Sequence, residues 1–234
     1  MPSMTLADDI QTLQDRTLAA LNAAHDYFVD TKSAWDIVLE LVQGGHEFTI
    51  RNQLTGTVTS QAELAGKARG YVAEQLAQAT FQQFISIFEA YFFDLLRLWL
   101  LTYPGSLKAK QIDFKMVLDA PDKDAITQYV VNKELNELLY ERPSGWFAYL
   151  EGKARLNCPT PDEIEQIAEA KAARDVLIHN QGVAGKQYET KAGNFARYTD
   201  GQRIEIPQEY HQQTWELIRK VVTDLSMAAM DKVR

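Results

Sequence analysis

The stretch from residue 81 to residue 101 reads FQQFISIFEAYFFDLLRLWLL and decides the fold class. Its aromatic and aliphatic residues recur at steps of three and four, which is the spacing of one continuous helix face. Further apolar residues widen the stripe, as expected of a helix at the centre of a bundle or at a subunit contact. Glu89, Asp94 and Arg97 interrupt it, and a span of about 20 residues does not normally carry three charges, so we expect no membrane segment.

Two capping boxes mark where further helices begin. The Ser60 hydroxyl can accept a hydrogen bond from the backbone N–H of Glu63 while the Glu63 carboxylate reaches back, and Thr160 and Glu163 repeat this arrangement. The first box opens the helix that contains the aromatic stretch, and the second opens a helix near the C-terminal third of the chain. With a further helix at the C-terminal end, the sequence predicts an all-α, up-and-down helical bundle over residues 60–234.

Residues 1–59 form a different segment. Their pattern predicts a helical N-terminal extension with a break near residues 30–33, followed by a small hairpin or extended loop over residues 48–59, which are rich in threonine. No run of serine, glycine or proline separates this extension from the bundle. We therefore expect the two parts to pack together.

Composition excludes several classes of protein. With 24 basic and 32 acidic residues the net charge is −8, which argues against a strongly basic protein that coats nucleic acid but leaves room for a local basic site. One cysteine, Cys158, excludes an internal disulfide and a cysteine-rich zinc site, and we expect it to be an incidental, half-buried thiol. The first residues show no basic region followed by an apolar stretch, so we expect no signal peptide and a cytoplasmic protein. The four histidines lack ligand spacing, so we expect no metal, and the sequence has no Gly-rich phosphate cradle, so we expect no cofactor.

One local cluster carries candidate chemistry, the segment RDVLIHN at residues 174–180. Arg174 and His179 are five residues apart, which rotates their directions by about 140° on an ideal helix. Arginine is long and His179 lies in the last turn, so both can border one cavity. Asp175 and His179 are four apart on one face, where the carboxylate can fix the tautomer of the imidazole. The alternative is structural, because the helix dipole favours a protonated histidine at this end and an Arg–Asp pair is usually solvated.

This segment resembles the Arg-polar-x-x-x-His signature of the HEPN superfamily (higher eukaryotes and prokaryotes nucleotide-binding domains), and the chain is similar to its RiboL-PSP and MAE types. The resemblance covers about residues 75–232, with residues 81–101 similar to the first core helix and residues 207–233 similar to the last. It implies a metal-independent endoribonuclease of a toxin–antitoxin or other defence system, with products that carry a 2′,3′-cyclic phosphate.

The resemblance also implies the roles of the site residues. In a homodimer, Arg174 and His179 of two subunits would face each other, with histidine as acid and base and arginine as the cation that binds phosphate. Asp175 would orient His179, and Asn180 would contact the substrate or fix the loop. The implied partners are an RNA substrate and an antitoxin or another protein of the same operon.

A second reading stays open, since other HEPN-like domains are not nucleases. The acidic balance and the broad apolar helix are compatible with a non-catalytic interaction or nucleotide-binding module. Residues 183–206 form the most basic and aromatic stretch near the motif, so they are expected either to touch substrate or to form a mobile surface loop. Lys108 and Lys110 are expected in a solvated loop. Three tryptophans are expected in the core or at an interface: Trp99, Trp146 and Trp215.

Overall fold

The computed structural model describes residues 5–47, 49–107 and 111–233. Over these ranges the chain is an all-α helical bundle, as predicted, with one short hairpin. The predicted loop positions Lys108 and Lys110 lie outside the described residues, as does Phe48. The helices are α1 (Leu6–Gln43), α2 (Gln61–Gly70), α3 (Ala77–Thr102), α4 (Phe114–Asp119), α5 (Lys123–Leu138), α6 (Pro143–Ala154), α7 (Pro161–His179), α8 (Lys186–Ala192) and α9 (Gln208–Val233).

Helix α3 is the centre of the bundle and packs against α1, α5, α7 and α9. Its buried residues follow the predicted steps of three and four, and each fully buried phenylalanine contributes about 1.5–3 kcal/mol. A π-helical segment, Tyr71–Leu76, joins α2 to α3, so the helix predicted to start after Ser60 runs on to Thr102. The Ser60 capping box is present, with the Ser60 N–H donating to Glu63 Oε2 at 2.8 Å.

The expected positions of the tryptophans are confirmed. Trp146 and Trp99 are buried, and Trp215 packs against the core with its ring stacked on that of His25. Within the described ranges, no helix combines the length and the hydropathy needed to cross a membrane.

Helix α1 is continuous, so the predicted break near residues 30–33 is wrong. That segment contains neither glycine nor proline, and its polar side chains bond within the helix. Ser33 Oγ donates to the Val29 carbonyl at 2.8 Å, and Lys32 Nζ lies 2.6 Å from Asp36 Oδ2 one turn on. Such contacts allow a polar run to stay helical.

The two halves of α1 have different surroundings. Ile10, Leu21 and Phe28 in the first half are buried in the same core as α3 and α9, which confirms that the N-terminal segment packs on the bundle. Beyond Phe28 no residue of α1 is buried. This second half packs against α2 and the π-helical segment, where the Trp35 and Tyr71 ring centroids are 5.9 Å apart.

The connection from α1 to α2 contains the predicted hairpin. Strands β1 (Ile50–Arg51) and β2 (Val58–Thr59) pair antiparallel, with Ile50 opposite Thr59. The prediction for residues 48–59 is therefore confirmed over 49–59, the described part.

Helix α7 positions the candidate site. Its N-terminus carries the second predicted capping box, with the Thr160 N–H donating to Glu163 Oε2 at 2.8 Å. Four alanines on its buried side allow neighbouring helices to approach closely: Ala168, Ala170, Ala172 and Ala173. Its last two turns contain the predicted motif.

The stretch after α7 folds back on itself and packs against α7. It forms α8, and the Ala184 N–H donates to the Gln202 carbonyl at 2.8 Å while the Ile204 N–H donates to the Gly182 carbonyl at the same distance. Tyr188 in α8 is fully buried. The expected surface loop is therefore helical over Lys186–Ala192, and contact of residues 183–206 with a substrate stays a prediction.

Candidate functional site

Three of the predicted site residues lie in the last two turns of α7, and Asn180 directly follows the helix. As expected from their spacing, the side chains of Arg174 and His179 point in different directions. The Arg174 guanidinium faces α3, whereas Asp175 and His179 line a cavity between α7 and α8.

Arg174 is held by two carboxylates. Its Nη2 lies 3.4 Å from Glu89 Oε2 and 3.4 Å from Ser86 Oγ on α3, and its Nη1 lies 3.1 Å from Asp175 Oδ1. The side chain is 20% exposed. Its Nε is buried and meets no acceptor among the described residues. The ion pairs therefore orient the guanidinium without using every donor.

Asp175 is the common partner of three cations. Its carboxylate lies 3.1 Å from Arg174, 3.3 Å from Lys171 and 3.7 Å from Lys191. Lys171 Nζ also lies 3.1 Å from Glu89, so the two carboxylates and three cations form one network. The contacts of Asp175 do not include the His179 ring within the described chain, and the orienting role of Asp175 stays a prediction.

His179 is exposed and lines a cavity of about 460 Å³ together with Asp175 and Lys191. Arg174 is not among the described residues that line it. The Asn180 side-chain amide donates to the Val183 carbonyl and so holds the turn that follows α7. This contact corresponds to the loop-fixing role, one of the two roles considered for Asn180.

A second cavity of about 210 Å³ adjoins the first and shares Asp175 and Lys191 with it. Tyr140 and Arg142, which follow α5, form part of its wall. Sequence analysis missed both residues, because no local pattern indicates that the turn after α5 lies beside α8.

A separate cluster surrounds Glu169, another residue that sequence analysis missed, and Glu169, Arg197 and Tyr210 line a third cavity of about 560 Å³. Glu169 is 3% exposed and accepts hydrogen bonds from Tyr188 Oη at 2.6 Å, from Arg197 Nε at 3.2 Å and from Tyr210 Oη. The Arg197 guanidinium also lies over the Tyr210 ring. Burial and the adjacent Glu169 carboxylate raise the pKa of both tyrosines well above their usual range. We call this group the Glu169 cluster; two of its members come from the stretch expected to touch substrate.

Two further titratable groups are structural. His211 is fully buried, with Nε2 2.7 Å from Thr80 Oγ1, and burial together with the nearby His25 lowers its pKa to about 4. Cys158 is half-buried as expected, and burial, followed by the charge of Asp224, raises the pKa of its thiol to about 11. A thiol with a raised pKa is a poor nucleophile at neutral pH.

Comparison of the chain with protein-family models, with curated proteins and with solved structures found no match. The HEPN resemblance therefore stays a prediction that rests on the motif and its helical context. Across the described ranges, no group of three or more His, Cys, Asp or Glu side chains is arranged to hold a metal ion.

Proposed function

We propose that this chain is a metal-independent endoribonuclease of the HEPN type, active as a homodimer and belonging to a toxin or defence system in which a partner protein neutralises it. His179 is the acid–base residue and Arg174 the cation that binds the scissile phosphate. The observation that supports this best is the position of His179, exposed on the wall of a cavity that also presents the Lys191 ammonium group.

The proposed reaction needs only groups that the chain supplies. The imidazole of His179 takes the proton of the RNA 2′-hydroxyl, the 2′-oxygen attacks phosphorus, and the P–O5′ bond breaks. The second imidazole of the dimer donates a proton to the leaving 5′-oxygen. The products are a 2′,3′-cyclic phosphate and a 5′-hydroxyl. Imidazole suits both transfers because it exchanges protons near neutral pH.

Because Arg174 faces α3 and does not line the His179 cavity, this scheme requires its guanidinium to turn towards that cavity and to exchange a carboxylate partner for phosphate. Its fork of donors can bind two phosphate oxygens, and the charge that develops on the phosphorane makes these oxygens strong acceptors. The partial exposure of Arg174 and its Nε without an acceptor among the described residues support such an exchange.

The second candidate function is a non-catalytic interaction or nucleotide-binding module. The ion pairs of Arg174 with Glu89 and Asp175 favour it, because they can serve to fix α7 against α3. In that case His179 would be a solvated residue at a helix C-terminus.

A cleavage assay in EDTA separates the two functions. Wild type, His179→Ala and the control His46→Ala, which changes another exposed histidine, are incubated with a pool of RNA substrates. We expect cleavage by wild type and His46→Ala, and a loss of about 10²–10⁴-fold in His179→Ala. Equal cleavage by all three proteins, or by none, would favour the module.

A further inference from the structure

The most exposed aromatic ring near the candidate site belongs to Tyr140. The residue is 94% exposed, in the turn after α5, on the wall of the 210 Å³ cavity. Such exposure means that the ring contributes little to the packing of the bundle. The same cavity wall includes Arg142 and Lys191, so an exposed aromatic ring and two cations border one cavity.

Arg142 and Lys191 are held together although they are 49 residues apart in sequence. Arg142 Nη2 donates to the Lys191 carbonyl at 2.7 Å, which ties the start of α6 to the end of α8. Both side chains are partly exposed. The charged residues lining the two adjoining cavities are Arg142, Lys171, Lys191, Glu141 and Asp175, with the titratable His179.

Arg142 and Lys191 place two cations on the same cavity wall as the Tyr140 ring, and the carboxylates of Glu165, 3.9 Å from Arg142, and Asp175, 3.7 Å from Lys191, partly offset their charge. Proteins that bind single-stranded nucleic acid combine cationic side chains, which contact the phosphates, with aromatic rings on which the bases stack. Bases inside a duplex are stacked on each other and present no free face, so an exposed ring selects unpaired nucleotides.

We propose that Tyr140, Arg142 and Lys191 form an RNA subsite in which an unpaired base stacks on the Tyr140 ring and the adjacent phosphate contacts the two cations. The subsite rests on the proposed function for its position, since it joins the His179 cavity through Asp175 and Lys191. It deepens that function by placing an unpaired nucleotide beside the bond to be cut.

Binding rather than cleavage tests the subsite. In a His179→Ala background, a single-stranded RNA oligonucleotide containing 2-aminopurine is titrated with the protein, and anisotropy and base fluorescence are recorded. We expect stacking to quench the fluorescence, Tyr140→Phe to retain it, and Tyr140→Ala to remove it and weaken binding by about 5- to 100-fold. Tyr27→Ala is the matched control, since Tyr27 is 59% exposed on α1.

The cations are tested by the salt dependence of the same binding. Arg142→Gln and Lys191→Gln should each weaken binding of every sequence and reduce the slope of log K against log salt by about 0.7, the value for one phosphate contact on a single strand. A duplex of the same sequence should bind more weakly than the single strand and be insensitive to Tyr140→Ala.

The outcomes for the subsite and for the ribonuclease are separable. Binding that depends on Tyr140 in a protein that cleaves no RNA would support the subsite and overturn the proposed function. Cleavage by wild type with equal binding by Tyr140→Ala and Tyr27→Ala would overturn the subsite and leave the function. Absence of binding to the single strand would also overturn the subsite.

Discussion

Helix α7 carries two arginine–carboxylate clusters that differ in the burial of the carboxylate, whereas their arginines, Arg197 and Arg174, are similarly exposed at 25% and 20%. In the Glu169 cluster the carboxylate is buried and accepts from two tyrosines and Arg197. In the other, which we call the Arg174 network (Glu89, Lys171, Arg174, Asp175 and Lys191), each carboxylate is about one-fifth exposed and shared among several cations. An exposed histidine, His179, lies beside the second cluster only.

The difference indicates two uses of the same ion-pair chemistry. If the buried Glu169 carboxylate loses a partner, its charge cannot be compensated by water. The Glu169 cluster therefore fixes α8 and α9 against α7. A partly exposed network is screened and its partners can exchange, which is what a phosphate-binding site requires. On the proposed function, the Glu169 cluster is structural and the Arg174 network binds phosphate.

The largest expected effect comes from breaking the Arg174 network. Arg174→Met should reduce RNA cleavage by about 10²–10³-fold, because the charge developing on the phosphorane loses its cation. The free energy of unfolding should fall by about 1 kcal/mol or less, since the pairs are partly exposed. Cleavage kinetics and urea unfolding of the same preparation check both. Full activity in a stable Arg174→Met protein would remove arginine from the mechanism.

Breaking the Glu169 cluster should have the opposite profile. Glu169→Gln leaves Arg197 without its buried carboxylate and should lower the free energy of unfolding by about 3 kcal/mol. Asp175→Asn, the matched change in the Arg174 network, should cost about 1 kcal/mol or less. Urea unfolding at pH 7 measures both. Equal losses of unfolding free energy in the two variants would contradict the distinction between a buried and a partly exposed carboxylate.

A third test compares the buried His211 with the exposed His179 by their effects on the pH dependence of stability. The pKa of His211 is about 4 in the folded chain and about 6.5 in an unfolded one, so the unfolded state binds more protons between these values. This contribution to stability is complete above pH 6.5 and is lost as the pH falls towards 4, by about 2 kcal/mol between pH 7 and pH 5.

Unfolding of wild type, His211→Gln and His179→Ala at pH 7, 6 and 5 checks this contribution. We expect His211→Gln to have a smaller loss of stability on acidification than wild type, and His179→Ala to follow wild type. The same pH dependence in all three proteins would mean that His211 is not the buried neutral group described here.

How far the sequence predicts this molecule depends on the distance between interacting residues. The periodicity of residues 81–101 and the boxes at Ser60 and Thr160 predict helices correctly, because their signals lie within a few residues. The polar run at residues 30–33 gave a false break, since Ser33 bonds to the preceding turn instead of ending the helix.

The residues of the candidate site also differ in how far apart they lie in the sequence. Arg174 and His179 could be found from the sequence because they lie five residues apart, in adjacent turns of one helix. The partners of Glu169 lie 19 to 41 residues further along the chain, and only the fold brings Tyr140 beside Lys191. No local pattern encodes such a meeting.

The smallest expected effect comes from the start of α7, away from both clusters. Thr160→Ala removes the side chain that accepts from the Glu163 backbone and should lower the free energy of unfolding by about 1 kcal/mol. Cleavage at 25 °C should be unchanged, as measured on the same substrate. A loss of cleavage larger than the loss of folded protein would show that the clusters are coupled to the helix start.

The central claim is that the C-terminal end of α7, with Arg174 and His179, cleaves RNA by attack of the RNA 2′-hydroxyl. The chemistry of the product ends tests this claim most directly. A single-stranded RNA is incubated with wild type in EDTA beside the same RNA carrying one 2′-deoxynucleotide at the mapped cleavage position. We predict 2′,3′-cyclic phosphate ends from the first and no cleavage at that position in the second. Cleavage of the deoxy-substituted bond, or products with a 3′-hydroxyl, would contradict the account.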